Sequence, residues 1–508
     1  MVTHAHQINS HQQHEQIMPE ANFDTSVNLS VESTSDDSSV DVVILGLHSD
    51  NSLSTSLADL DQQGNGCLTR LLESGQLRGN RGELSLLGFP CDSGPSMVLV
   101  VGLGDGSASR ADAFEITASA VRSLLDRPRG RVEVRLIEDF SAEHHDAVVA
   151  GAMTACEGQG LYRSEPPLKL PSEIAFPGLS QEQLDRGRII GESINQTRRL
   201  VNEPAAVVYP ESFAASVQEL FADTATEVDV WDENRLADEG CRAILAVGAG
   251  SERPPRLVIL SHLCGDDEPP LVLVGKGVTF DSGGLSLKPS EGMVDMKCDM
   301  AGAATVVGVM RALAHLGIKK NVIGLCGLAE NMVSGSSYKL GDVIKTRSGK
   351  TIEILNTDAE GRVVLADTLD VAIGYQPKAI VDLATLTGAC LVALGRDVVG
   401  AMTNDVDLLK QIESAAGDEG ELMWQLPMFK HYDEQVKSQV ADIKNIGDGR
   451  WGGAITAAKF LQNFVNDTPW VHLDIAGPAF ADKAKPHCDA GATGVMVRSL
   501  LHWIESYE

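Results

Sequence analysis

Positive charge is scarce in this chain. Its 508 residues hold 41 Lys and Arg against 71 Asp and Glu, a formal charge of −30, which repels nucleic acid and anionic membranes at long range. No basic cluster in the sequence offsets it. No Lys or Arg precedes Arg70, so the cationic start of a secretory signal and the Arg-rich pattern of a transit peptide are both lacking. Long apolar runs are lacking too, since the longest uncharged apolar stretch, Leu383 to Gly395, is shorter than a bilayer requires. The nine cysteines stand singly, without a CxxC pair or the even, close spacing of a secreted disulfide framework. These absences predict a soluble, cytoplasmic protein with reduced thiols.

Several catalytic signatures are missing as well. There is no HExxH zinc helix, no GxSxG nucleophile elbow and no GxxxxGK[ST] phosphate loop. Gly102, Gly104 and Gly106 follow an apolar strand, but Ser107 stands where the third glycine of GxGxxG would fall, so a tight strand-to-helix turn accounts for them better.

The remaining sequence is globular and exceeds what one core usually supports, which predicts two domains. Residues 1–38, polar and rich in His, Gln, Ser and Asp, read as a tail that cannot bury enough surface to order itself. His4, His6, His11 and His14 in that tail have no fixed geometry for a metal. Residues 39–178 alternate strands (VDVVILGL, SMVLVVGLG, VEVRLI) with helical stretches such as Ala111 to Leu125, a smaller α/β domain. Residues 179–205 form a connecting helix, amphipathic from Ser180 to Val201 and stopped at Asn202-Glu203-Pro204. Residues 206–508 form the larger domain. There PPRLVILSH, PPLVLVGKGV, KKNVIGLCGL, KAIVDLATL and PWVHLDIAG are near-continuous apolar strands, and Ala301 to Leu316 and Ala454 to Val465 are covering helices. The fold class is therefore α/β, with a central, mostly parallel sheet whose ligands are expected beyond the carboxyl ends of its strands.

Two segments put ions where apolar residues are expected. LVLVGKGVTFDSGGLSLKPSEGMVDMKCDM carries Lys276, Asp281, Lys288 and Asp299, and NTDAEGR carries Asp358, Glu360 and Arg362 on alternate residues. An ion in a low-dielectric interior must be paired, neutralised or bound to metal. An extended backbone from 358 to 360 would set both acids on one face. The four carboxylates are hard oxygen donors that would raise each other's pKa if they converged alone, and two divalent ions would neutralise them and share a hydroxide. Lys276 could join as a ligand only as the free amine. Lys288 and Arg362 remain as cations to polarise a carbonyl or hold an anion. Taken singly, each of these residues is read more simply as part of a structural salt bridge; their concentration in glycine-rich loops after apolar strands favours the metal site. Cys298, His472 and His487 are read as ordinary packed or surface residues.

NTDAEGR at 356–362, GKGVTFDSGG at 275–284 and KPSEGMVDMKCDMAGAA from 288 closely resemble the leucyl (cytosol) aminopeptidases, two-metal exopeptidases. VGAGSERPPRLV, AENMVSGSSYKLGDV, DLATLTGA and HLDIAGPA extend the resemblance over residues 195–500, whereas the small domain matches weakly and the tail not at all. The resemblance implies that Lys276, Asp281, Asp299 and Glu360 hold one metal, and that Asp281, Asp358 and Glu360 hold an exchangeable second. Manganese and zinc are the expected ions, though such ligands discriminate little among divalent metals. It further implies that Lys288 polarises the scissile carbonyl, that Arg362 holds a bicarbonate ion, and that Met296, Thr385, Leu386, Gly388, Ala476 and Ala479 surround the first substrate side chain. A homohexamer acting on peptides, with apolar amino-terminal residues such as leucine preferred, is implied too. Val363, Val333, Leu340 and the segment from Val495 to Leu500 depart from the family pattern without touching a ligand. A two-metal phosphatase would need a phosphate loop that is missing. A DNA-binding role, carried by some relatives, is the alternative reading and sits poorly with the charge.

Overall fold

Apolar, β-branched runs become the strands of two sheets in the computed structural model, which describes residues 27–32, 39–50, 52–88, 94–106 and 109–507. The small domain has six strands, β1 (Asn28–Ser30), β2 (Val42–His48), β3 (Leu84–Gly88), β4 (Met97–Gly104), β5 (Arg131–Val134) and β6 (Glu173–Ala175), in the order β1-β6-β5-β2-β4-β3. All pairings are parallel except that of the edge strand β3. β1 interrupts the polar tail expected over residues 1–38. It completes the open edge of β6 and sets Leu29 against the core, which enough backbone pairing allows despite a polar composition. The rest of that tail, with its four histidines, lies outside the described residues. Gly104 takes φ +78 at the end of β4, as the tight-turn reading requires; Ser107 lies outside the described residues.

The connecting helix runs Gln181–Asn202. A capping box of Ser180 and Gln183 starts it, and Glu203, with extended ψ, ends it before Pro204. Its buried face, with Ile190, Ile194, Leu200 and Val201, belongs to a single apolar cluster that continues from the small sheet to the large one. Burial on both sides joins the two domains through this helix.

The large domain is built on eight strands: β7 (Glu227–Trp231), β8 (Arg256–Leu263), β9 (Leu271–Asp281), β10 (Asn321–Asn331), β13 (Ala379–Ala384), β14 (Val398–Thr403), β15 (Leu422–Gln425) and β17 (Trp470–Asp474). Their order is β15-β14-β17-β13-β9-β10-β8-β7. The four central strands β17, β13, β9 and β10 run parallel, as their apolar sequences predict. The flanks are mixed: on one side β8 lies antiparallel to β10 and β7 antiparallel to β8, and on the other β14 lies antiparallel to β17. PPRLVILSH is as apolar as its parallel neighbours because helices cover both of its faces, so hydrophobicity could not reveal its direction. The helix Ala301–Leu316 covers one face, and Gly361–Ile373 and Gly453–Gln462 the other. Short pairings complete the domain: β11 (Val343–Lys345), β12 (Thr351–Glu353) and β16 (Ile443–Lys444) form one small sheet, β18 (Phe480–Ala481) and β19 (Gly491–Ala492) another.

A charged network reinforces the junction of the domains. Arg110 of the small domain reaches Glu419 at 2.6 Å and Asp146 at 2.5 Å, and Arg498 meets the other oxygen of Glu419 at 3.0 Å. Burial opposes ionisation of Glu419, but His502, Arg498 and Arg110 outweigh it and hold the carboxyl down at about 2. A carboxyl whose pKa is depressed on folding contributes stability above its ordinary value of 4.5 and loses it as the pH falls toward 2. Glu419→Gln is therefore expected to lower stability at pH 7 by about 3 kcal/mol and to flatten the acid limb between pH 4.5 and 2, read by chemical denaturation across pH.

Candidate metal centre

The carboxyl end of β9 carries two of the ions identified in the sequence. Lys276 lies inside the strand and Asp281 ends it, both buried. Asp299 arrives from a single 3-10 turn, Met296–Met300, that leads directly into the helix Ala301–Leu316. That helix can approach the sheet only because position 302 is glycine: a Cβ there would lie 2.1 Å from the Leu383 carbonyl oxygen and 3.0 Å from the Lys276 nitrogen. Asp358 and Glu360 come from the loop between β12 and the helix Gly361–Ile373. The extended segment expected at 358–360 is instead a turn, with the Asp358 N–H donating to Asn356 Oδ1 and Glu360 already helical at φ −76, ψ −35. The two acids converge because the chain bends at the helix start, a change of backbone that alternation in the sequence does not encode.

All five residues expected to ligate metal meet here. Lys276 Nζ lies 2.7 Å from Asp299 and 3.0 Å from Glu360, while Lys288 Nζ lies 2.9 Å from Asp281 and 2.6 Å from Asp358. Asp281, Asp358 and Glu360 each bring an oxygen to within 4.8 Å of the others. Four carboxylates thus face two ammonium groups, leaving negative charge uncompensated in a site whose members are mostly buried. The consequence shows in their ionisation. Burial, and then Asp281, push Glu360 up to about 8; burial likewise raises Asp299 to about 6 against the pull of Lys276. Burial works to discharge Lys276, but Asp299, Glu360 and Asp281 prevail and raise its pKa. Dications would relieve each of these conflicts. The donor set fits them: Asp299 Oδ2 and Glu360 Oε2 are buried without any hydrogen-bond partner, the condition that a bound cation removes.

Other residues hold these side chains in place. Asn331, at the end of β10, donates 2.8 Å to Asp281 Oδ1 and 2.9 Å to the Thr357 carbonyl, and Tyr338 donates to that carbonyl at 2.9 Å. Thr385 Oγ1 donates 2.8 Å to Asp299, and the Thr385 carbonyl accepts from Lys276. Asp474, at the end of β17, accepts from the backbone of Leu386, Thr387 and Ala476 and from the Thr387 hydroxyl, and so ties the loop after β13 to the loop after β17. Sequence reasoning passed over Asn331, Thr357 and Asp474. For Asp474 the signal was available, an acid closing an apolar strand in the same way that Asp281 does.

Of the residues expected around the substrate side chain, Thr385 touches the site directly, and Leu386 and Ala476 share Asp474. Met296 opens the turn that carries Asp299, and Gly388 is exposed at the start of the helix Gly388–Leu394. Ala479 is buried in the main apolar cluster. Arg362 is buried in the first turn of its helix, its Nε without a partner, and burial pulls its pKa below the ordinary value while Glu360 and Asp474 oppose the shift. Cys298 is a packed thiol pushed up to about 12 by burial and Asp299, and His472 is a core residue paired with Asp382 at 2.6 Å. Val363 is buried, while Val333 and Leu340 are exposed on loops.

A buried carboxylate–lysine cluster at the carboxyl ends of parallel strands defines a metal-dependent hydrolase of α/β architecture. Comparison with known proteins makes the class specific. The profile of the cytosol aminopeptidase family, catalytic domain, matches residues 195–501, and that family's N-terminal domain matches residues 44–166. A probable cytosol aminopeptidase of Rhodopirellula baltica is 64% identical over 434 residues, 85% of each chain, and that of Geobacter sulfurreducens is 40% identical over 91% of this chain and 96% of its own. Among solved structures, the cytosol aminopeptidase from Coxiella burnetii superposes with a TM-score of 0.80 at 32% identity, covering 94% of this chain and 99% of that one. The bottromycin maturation enzyme BotP in complex with Mn gives 0.81 at 35% identity, covering 92% and 99%. The chain belongs to the cytosol aminopeptidase family. It is a hydrolase, an aminopeptidase that depends on divalent metal ions.

Gly361 gives a direct check on the centre. A Cβ at this position would lie 2.4 Å from Lys276 Cε and 2.6 Å from Nζ, so alanine must displace the lysine without disturbing the helix. Gly361→Ala is expected to fold normally and to bind metal about 10- to 100-fold more weakly, measured as metal retained after dialysis against graded chelator.

Proposed function

We propose that this aminopeptidase releases apolar amino-terminal residues, leucine among them, from intracellular peptides at a two-metal centre. One observation carries the reading: four carboxylates converge on two lysines, with two buried carboxylate oxygens unpartnered. Lys276, Asp281, Asp299 and Glu360 would hold one ion and Asp281, Asp358 and Glu360 the other, with manganese or zinc suited to the donors. Bound there, the ions supply a hydroxide nucleophile near neutral pH and an anchor for the substrate's free amine.

The chain's own groups do the rest. Lys288 is half-buried among carboxylates that raise its pKa, so it stays charged and can donate to the scissile carbonyl as negative charge develops there. Arg362 offers an unpartnered Nε in a buried setting, suited to a planar anion such as bicarbonate that could take a proton from the attacking water. Thr385 orients Asp299, and Asp474 ties the Leu386 and Ala476 loops together; with Met296, these residues would supply an apolar rim for the first side chain. An internal amide carries no amine to bind, which restricts cleavage to chain ends.

A homohexamer in the cytoplasm is part of the same reading. Exposed Leu422, Trp424, Phe429, Val440 and Trp451 lie between residues 422 and 451, an apolar concentration suited to subunit contact. No helix among the described residues is long and apolar enough to cross a membrane. The charge of −30 lends no support to DNA binding.

Hydrolysis of leucine p-nitroanilide is expected to disappear on chelation, to return with manganese or zinc, and to be absent on the amino-blocked substrate; activity that survives thorough chelation would refute the reading. Lys288→Ala is expected to lower kcat by roughly 10²- to 10³-fold while metal content is kept, measured by steady-state kinetics alongside elemental analysis.

A further inference from the structure

The most unusual charge outside the metal centre is Arg198. It lies on the connecting helix, 3% exposed, and no carboxylate among the described residues forms an ion pair with it. Its Nε donates 3.1 Å to the Ala492 carbonyl of the catalytic domain and its Nη1 2.8 Å to the Thr154 carbonyl of the small domain. The remaining Nη2 has no protein partner among the described residues. Two carbonyl dipoles offset only part of the cost of burying a full charge.

The guanidinium forms part of the wall of a cavity of about 380 Å³ between the two domains and the connecting helix. Lys485, His487 and Arg498 also line it, with Phe114 and Ile194 as apolar wall. The acids that line it are engaged elsewhere or at the margin. Asp397 pairs with Lys485 at 2.5 Å, Glu421 accepts from the backbone of Met496 and Ser499, and Glu115 is half-buried on the small-domain helix. Arg498 pairs with Glu419. The field around His487 reflects this balance: burial, and then Lys485, Arg198, Arg498 and Arg122, push its imidazole down to about 4, so it is neutral at pH 7 and able to donate a hydrogen bond.

We infer that this interdomain cavity is a binding site for a small oxyanion, a phosphate or a free carboxylate, held by Arg198 and His487. A planar guanidinium with a free N–H edge suits such a group. The ligand would bridge Arg198, the Lys485–Cys488 turn and the small domain, and so fasten the domains without entering the metal centre.

The test uses the metal-loaded enzyme and thermal unfolding at constant ionic strength, with chloride replaced by inorganic phosphate in one arm and by acetate in another. At about ten times the dissociation constant, the effective anion should shift the unfolding equilibrium about tenfold toward the folded state, and the arm that responds distinguishes phosphate from carboxylate. Arg198→Met should abolish the response. His487→Glu keeps the guanidinium and supplies an internal carboxylate, so it should fold, lose the response, and retain kcat on leucine p-nitroanilide. An equal response in the parent and in His487→Glu, or no response in either arm, overturns the site and leaves an adventitious ion only.

Discussion

Everything at the working end of this molecule depends on one electrostatic constraint: four carboxylates, three of them buried, converge at the carboxyl edge of a parallel sheet, with Lys276 and Lys288 in direct contact to oppose them. Water reaches Asp358 and Lys288 but gives little relief to Asp281, Asp299 and Glu360, which are buried where β9, the turn before the helix Ala301–Leu316 and the start of the helix Gly361–Ile373 meet. The raised pKa values of Asp299 and Glu360 and the raised value of Lys276 are two sides of that constraint. Negative charge concentrated in an interior is relieved by protons or by bound cations, so occupation of the centre and protonation of its acids compete.

The surrounding architecture serves to hold that cluster against its own repulsion. Asn331, Thr385 and Asp474, each at or just beyond the end of a central strand, fix a ligand or a loop by hydrogen bonds to backbone or carboxylate. Glycine at 302 and 361 lets a helix on each face of the sheet approach the Lys276 backbone and side chain more closely than any other residue would permit. No described residue of the small domain belongs to the centre. Its junction with the catalytic domain is instead a shared apolar cluster crossed by the connecting helix, with the Glu419 network at one point and the lone Arg198 at another. These two charges contrast: Glu419 meets Arg110, Arg498 and His502, whereas Arg198 hydrogen-bonds carbonyls alone among the described residues.

The sequence alone carried the ligand set a long way. Lys276, Asp281, Asp299, Asp358 and Glu360 were visible because charged residues among apolar strands and glycine loops are costly unless they have work to do, and the same logic would have found Asp474. It carried the helices Ala301–Leu316 and Gln181–Asn202 almost to the residue, since their periodicity and caps are local properties. It failed for β1, a three-residue strand in polar surroundings that is ordered by a neighbour's open edge more than by its own composition, and for the conformation of Asp358 and Glu360, where spacing suggested a strand and the chain makes a turn.

What the sequence determined by itself was therefore chemistry and local order: which residues could ligate, where the long helices begin and end, and which strands lie buried on both faces. Only the tertiary structure decided the direction of β8 and β14, the meeting of charged side chains separated by up to 84 positions, and the burial of Arg198 without an ion pair among the described residues. The division has a physical cause. Hydrophobicity and capping act over a few residues and are written in them, whereas strand direction, convergence of ions and an unpaired buried charge depend on which distant segments share the same low-dielectric space.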